Sequence, residues 1–203
     1  MNRGRILVFS GPSGSGKSSI INNLLTELDN ATVSISTTTR PIRKGEVDGV
    51  DYNFVSQSEF KELLENDQFL EYEKVHNYYY GTRKDFVAEA LEFGQLLIFD
   101  VDTRGMENLQ KYYSDIIVSI FITTSSKAIL EDRLRGRGTE TEEKIQIRLT
   151  NAMKEMNSIY KFDYFVVNED LTQTKKDVMA IAKLTEFKPS KSLTTALIDI
   201  WSL

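Results

Sequence analysis

The sequence predicts an α/β fold built on a parallel sheet with helices on both faces. Three observations carry this. The runs Ile6-Leu7-Val8-Phe9 and Leu96-Leu97-Ile98-Phe99, and Ile116 to Ile122 but for Ser119, are continuously apolar rather than alternating, as strands buried on both faces are. Between them lie segments with apolar residues at helical spacing, such as Ile20, Ile21, Leu24, Leu25 and Leu28. The first apolar run leads into Gly11-Pro12-Ser13-Gly14-Ser15-Gly16-Lys17-Ser18, which fits G-x-x-x-x-G-K-[ST] with a strand before it and a helix after it. Together these features predict a P-loop NTPase fold, whose ligands sit at the carboxyl ends of the strands.

Composition narrows the function. At 203 residues the chain is one domain or one domain with insertions. A net charge of −5 supplies no global basic field for nucleic acid or an anionic membrane, so any phosphate site must be local. The absence of cysteine excludes disulfides, thiolate metal sites and a Cys nucleophile. No segment reaches the roughly 18 apolar residues of a membrane span, and the start is too short in apolar residues for a signal peptide, so the cytoplasm is expected. His76 is the only histidine and reads as a surface or packing residue.

In chain order, strand 1 spans about Arg5 to Ser10 and helix 1 about Lys17 to Leu28. Thr32 to Ser36 alternates like an edge strand and runs into a loop kept open by Pro41 and Gly45. Asp51 to Val55 is a short strand, and Ser56 with Glu59 has capping-box spacing for a helix to about Asn66. Phe69 to Val75 is a strand with Glu71 and Glu73 on one face. Residues 32–82 thus read as a small strand-rich insertion in a core of 1–31 and 83–203.

Thr82 with Asp85 is expected to start the next helix, with Gly94 just past its end. A helix carrying Met106 and Leu109 separates the two later core strands, and a helix over about Ser126 to Leu134 leads to Arg135-Gly136-Arg137-Gly138, a mobile loop. Thr139 with Glu142 has capping-box spacing for a long helix with the core stripe Ile145, Leu149, Ala152, Met156 and Ile159. Phe165 to Val167 is a last short strand, followed by a helix with Val178, Ile181 and Leu184. The tail after Lys188 has no assigned place.

The glycine loop is a phosphate cradle because successive N–H groups face one concavity and the helix beginning near Lys17 adds the positive end of its dipole. A triphosphate would lie over Gly11, Pro12, Ser13, Gly14, Ser15, Gly16, Lys17, Ser18 and Ser19. Lys17 would bring a point charge to the outer phosphates, and Ser18 would ligate the bridging Mg²⁺. Asp100 follows four apolar residues at a strand end, as a Walker-B carboxylate does, and Asp102 follows two residues on. One could serve the Mg²⁺ shell and the other the acceptor, or Asp102 could simply cap the next helix.

Arg40 and Arg43 lie in a loop where guanidinium forks suit a monophosphate, with Tyr52 and Tyr80 as phenolic donors. Beside a P-loop this reads as an acceptor site rather than a solvated turn. Arg133, Arg135, Arg137 and Arg148 form a cationic cluster suited to charge spread over a transferring phosphoryl, with Arg135 expected to pair with surface glutamates.

Ser34-Ile35-Ser36-Thr37-Thr38-Thr39-Arg40-Pro41-Ile42-Arg43-Lys44-Gly45-Glu46-Val47-Asp48-Gly49-Val50-Asp51-Tyr52, Tyr79-Tyr80-Gly81-Thr82, Asp100-Val101-Asp102, Arg135-Gly136-Arg137-Gly138-Thr139-Glu140 and Val167-Asn168, with the P-loop, resemble the guanylate kinase family over about residues 5 to 185. The resemblance implies Mg²⁺-dependent transfer from ATP to GMP, and by extension dGMP, through a core, a GMP-binding insertion and a lid within about 134–148. It implies GMP contacts by Ser36, Arg40, Arg43, Tyr52, Glu71, Tyr80, Thr82, Asp100 and Asp102. Lys17, Arg40, Arg133, Arg137 and Arg148 match the catalytic set, Arg137 and Asn168 the adenine side, and Ser18 and Asp100 the metal site. A carboxylate at Glu71 suits guanine, whose N1–H and N2–H₂ are adjacent donors; adenine offers no such pair.

The chain departs from the family pattern at Tyr78, where Asn is usual, and at Thr103-Arg104. Two rivals stand beside this reading. A binding module without chemistry is disfavoured by the presence of Lys17, Ser18 and the lid arginines, and a kinase for another acceptor by Glu71 and the Arg40/Arg43 pair. Neither nucleic acid, membrane nor an obligate protein partner is expected.

Overall fold

The structure, a computed structural model, describes residues 4–75, 77–136, 138 and 141–202. Strand β1 (Arg5–Ser10) is wholly buried, because parallel strands flank it on either side. One neighbour is β7 (Leu96–Asp100) and the other β8 (Ile117–Thr123), while β2 (Ala31–Val33) and β9 (Tyr164–Val167) form the edges. Every pairing in this five-stranded sheet is parallel.

The continuous apolar runs resolve into two faces. Ile6, Val8, Leu97 and Phe99 point into one core with Val87 and Ala90 of α3 (Lys84–Glu92) and Met106 and Leu109 of α4 (Thr103–Tyr113). Leu7, Phe9, Leu96 and Ile98 point into the other with Ile20, Ile21 and Leu24 of α1 (Lys17–Glu27) and Val178 and Ala182 of α7 (Leu171–Leu184). With side chains alternating and both sides dry, these strands are apolar along their middle, and the buried Ser119 of β8 is kept by its hydrogen bonds to Asp163. A third, smaller cluster joins Leu130 and Leu134 of α5 (Lys127–Gly136) to Ile145, Leu149 and Ala152 of α6 (Glu142–Met156).

The second sheet has four strands in the order β4 (Asn53–Phe54), β3 (Thr37–Thr38), β6 (Tyr78–Arg83) and β5 (Phe69–Val75). Its core is aromatic: Phe60 of α2 (Gln57–Glu65) stacks on Phe69 at 4.3 Å and on Tyr79 at 5.4 Å between ring centroids. The Ser56–Glu59 capping box is formed in both directions.

Several local expectations change. Thr32 and Val33, assigned above to the insertion, pair with β7 in the main sheet, and the strand ends there instead of reaching Ser36. Thr82 does not start a helix. Its strand continues through Arg83 because the antiparallel ladder with β5 claims these residues, and Arg83 takes the N-cap position of α3. At α6 the N-cap is Thr141, without a side-chain bond; Thr139 and Glu140 lie outside the described residues. Ile159 falls in a separate 3-10 turn, and Leu184 is exposed.

The tail forms α8 (Lys191–Trp201), capped by Ser190, with Leu197, Ile198, Ile200 and Trp201 exposed. Among the described residues no helix is long and apolar enough to cross a membrane.

Candidate active site

A cleft of about 410 Å³ opens at the carboxyl ends of β1 and β7, lined by the glycine loop, Ser18, Ser19, Asp100, Asp102 and Glu155. The loop's shape depends on its glycines. Gly11 has φ 125° and a Cβ there would come within 2.0 Å of the Ile122 carbonyl oxygen. Gly16 has φ 101°, and a Cβ would meet the Asn168 side chain at 2.3 Å. Both positions combine a left-handed backbone with contact too close for any side chain.

Lys17 begins α1 and turns back over the loop, donating to the carbonyls of Gly11 and Pro12, with Asp100 3.9 Å away. Asp100 ends β7 at the cleft. Crowding by the cleft walls raises its pKa above the ordinary carboxylate value although part of the side chain meets solvent, and the Lys17 charge opposes that rise. Asp102 caps α4, its Oδ1 accepting from the Gly105 N–H at 2.8 Å, and also lines the cleft. The capping and cleft readings of Asp102 therefore hold together.

Three residues far along the chain grip the loop. Asn168 is 2 % exposed and donates through Nδ2 to the Ser15 carbonyl at 2.7 Å. Arg133 donates to the Asn168 carbonyl at 2.7 Å and the Ser15 carbonyl at 3.5 Å, and Arg148 to the Ser13 hydroxyl. In this structure Asn168 acts on the loop backbone. Arg135 pairs with Glu131 and Glu142, which holds the Glu142 carboxyl down to about 2. Arg137 and His76 lie outside the described residues.

The acceptor-side candidates gather in the second sheet. Arg40, 6 % exposed, donates from Nη1 and Nη2 to both carboxylate oxygens of Glu46 at 3.0 and 2.7 Å. Its guanidinium carbon lies 5.2 Å from the Tyr52 ring centroid and 5.6 Å from that of Phe54, with the Tyr80 hydroxyl nearby. The Tyr52 and Tyr80 rings meet edge to face at 5.9 Å. Thr82 and Glu71 are cross-strand partners, and the Thr82 hydroxyl donates to Glu71 Oε1 at 2.7 Å. Arg43 is exposed. Ser36 follows β2, which runs beside β7, so the chain enters the second sheet next to the strand that ends in Asp100.

Two acidic residues are absent from the sequence-based set. Glu155 lies seven residues beyond Arg148 on α6, so both fall on one helical line facing the loop. Its pKa is raised by burial first, with Lys17 pulling down and Asp102 pushing up. The Arg148/Glu155 spacing was available as a signal but is hidden beside the apolar stripe. Glu46 shares a short loop with Arg40 and Arg43, which is its only sequence clue.

A metal ion held here would draw on Ser18 and Asp100. Among the described residues no group of three or more acidic or histidine side chains could hold a metal alone. One carboxylate and one hydroxyl fit Mg²⁺ all the same, because Mg²⁺ beside nucleotides keeps waters and phosphate oxygens as its other ligands.

Comparison with known proteins agrees with this geometry. The family model described as "Guanylate kinase" matches residues 3–184. The guanylate kinase of Helicobacter pylori is 49 % identical over 178 residues, 88 % of this chain and 86 % of that one. The guanylate kinase of Helicobacter hepaticus is 42 % identical over 99 % of this chain and 100 % of its own length. The crystal structure of guanylate kinase from Anaplasma phagocytophilum superposes with a TM-score of 0.70 at 29 % identity, covering 94 % of this chain and 89 % of that one. With the phosphate loop, the strand-end carboxylate and the second sheet all in place, this chain belongs to the guanylate kinase family.

Proposed function

We infer that the chain transfers the γ-phosphoryl of ATP to GMP, and to dGMP, giving ADP and GDP or dGDP. The observation that carries this is the pairing of a P-loop cleft with a buried arginine and two phenols in a second sheet that the chain enters directly after β2, the neighbour of β7. The loop amides and Lys17 hold the donor phosphates. Arg40, Arg43, Tyr52 and Tyr80 hold the acceptor phosphate, and Glu71, Thr82, Ser36 and Asp102 face its base.

The chemistry is positioning and charge stabilisation. The attacking GMP phosphate oxygen is already anionic, so no strong base is required. Arg133 and Arg148 stand against the loop and, with Arg137, would meet the charge that spreads over the phosphoryl in flight. Ser18 and Asp100 would hold Mg²⁺, which when bound neutralises charge on the donor phosphates. The segment around residues 134–148 would act as a lid that excludes water. Glu71 accepts from the guanine N1–H and N2–H₂, and a charged hydrogen bond of about 1.5–3 kcal/mol favours guanine roughly 10 to 150-fold. The expected setting is the cytoplasm, with these nucleotides as the partners.

Coupled ADP release with GMP, dGMP, AMP, UMP and CMP tests the reading. Turnover with GMP and dGMP, and at least about tenfold lower kcat/KM with AMP, is expected. Turnover with none of them would leave a binding module and overturn the proposal.

A further inference from the structure

Arg40 is held in an unusual way for a residue that is to bind a phosphate. Both Nη1 protons are taken, one by the Pro41 carbonyl at 2.9 Å and one by Glu46 Oε2, and one Nη2 proton goes to Glu46 Oε1. The Nε–H and the second Nη2–H remain, with the Tyr80 hydroxyl beside the guanidinium. Those two donors form the side edge of the fork, which can take two phosphate oxygens.

Glu46 is itself fixed. Its Oε2 accepts the Arg43 N–H at 2.8 Å, and its own N–H closes a turn onto the Arg43 carbonyl at 3.1 Å. The carboxylate is therefore part of the loop fold, tied to Arg40 six positions back across a loop whose middle, Pro41 to Gly45, is exposed. On its other sides Arg40 meets the rings of Tyr52 and Phe54, which supply contact but no orientation of the fork, and the Tyr80 hydroxyl.

We propose that Glu46 is a positioning residue for the acceptor phosphate: it clamps the end of the Arg40 guanidinium so that the Nε/Nη2 edge faces the phosphate monoester before substrate arrives. This rests on the reading that Arg40 binds the GMP phosphate. An arginine side chain has many rotamers, and ordering it at the moment of binding weakens affinity. A carboxylate already seated on the other fork removes that cost. Arg40 first, then the Arg43 N–H, hold the Glu46 carboxyl below its usual range, so the clamp stays charged throughout the neutral range.

The test is steady-state kinetics on Glu46→Ala, Glu46→Gln, Arg40→Ala and the double variant Glu46→Ala/Arg40→Ala, with GMP and ATP varied in turn. Glu46→Ala is expected to raise KM for GMP about 10 to 100-fold, the size of loss that follows when the partner orienting a metal-ligating side chain is removed. Its KM for ATP should be unchanged and its kcat at saturating GMP nearly so. Glu46→Gln, which keeps shape and one hydrogen bond, should fall between the wild type and Glu46→Ala, and it carries the test if Glu46→Ala does not fold. The double variant should be no worse than Arg40→Ala.

If Arg40→Ala leaves KM for GMP unaltered, the phosphate-binding reading itself fails. If Arg40→Ala raises it while Glu46→Ala leaves it unchanged or lowers it, only the clamp is overturned; a lowered value would mean that Glu46 competes with the phosphate for the fork. Additive effects in the double variant, or equal rises in KM for ATP and GMP, would overturn it as well.

Discussion

The two ends of the candidate site hold anions by different means. The donor end is made of main-chain N–H groups in a glycine loop, and the side chains that brace it reach backbone carbonyls from residues 118 and 153 positions away. The acceptor end is made of side chains, and its central arginine is braced by a carboxylate six positions away. Backbone donors in a left-handed glycine turn are ordered by local stereochemistry. Guanidiniums and phenols are not, and need charge pairing and ring contacts to stand ready. Damage at the donor end should therefore appear in kcat or fold stability, and damage at the acceptor end in KM for GMP and base selectivity.

The largest effect expected is from Lys17→Ala. Removing the ammonium that turns back over the loop should lower kcat at saturating ATP and GMP by about 10² to 10³-fold while GMP still binds. A change confined to KM for GMP would break the comparison. Next comes Glu71→Ala, for which the preference for GMP over AMP, measured as a ratio of kcat/KM, should fall by roughly 10 to 150-fold with KM for ATP unaltered.

Asn168→Ala sharpens the donor side. It removes a buried donor from the Ser15 carbonyl, and chemical denaturation should report a loss of about 1–3 kcal/mol. An unchanged midpoint would mean that the loop does not depend on this brace.

The smallest effect belongs to Glu155→Gln. Burial raises the Glu155 pKa above the ordinary glutamate value of 4.5. A carboxyl whose folded pKa is raised contributes stability in full below its unfolded pKa and loses it as pH rises through the folded value. The amide variant should thus melt a few degrees higher at pH 7, a gain that shrinks to nothing below about pH 4.5. A variant equally stable to wild type at every pH would show that this carboxylate bears no electrostatic strain.

Much of the fold was legible because it is written locally. Arg5 to Ser10 and Leu96 to Phe99 needed only their own apolar continuity to be read as buried strands, and Ser56 to Glu59 only its spacing to be read as a cap. Thr82 was misread at the helix start because nothing near it reveals Phe69 to Val75 as its ladder partner. The candidate site divides the same way: Lys17, Asp100 and Arg40 announce themselves by motif, strand end and loop chemistry. Glu155 is concealed among core positions of α6, and Glu46 looks like any solvated loop glutamate.

By itself the sequence determined the phosphate loop, the sheet it ends and the family, since each rests on neighbouring residues whose backbone preferences and burial patterns act over a few positions. The tertiary structure alone decided which side chains brace that loop and that arginine. Asn168, Arg133 and Arg148 reach Ser15 and Ser13 only after β8, β9, α5 and α6 have packed, and a hydrogen bond between distant segments leaves no trace in local propensity.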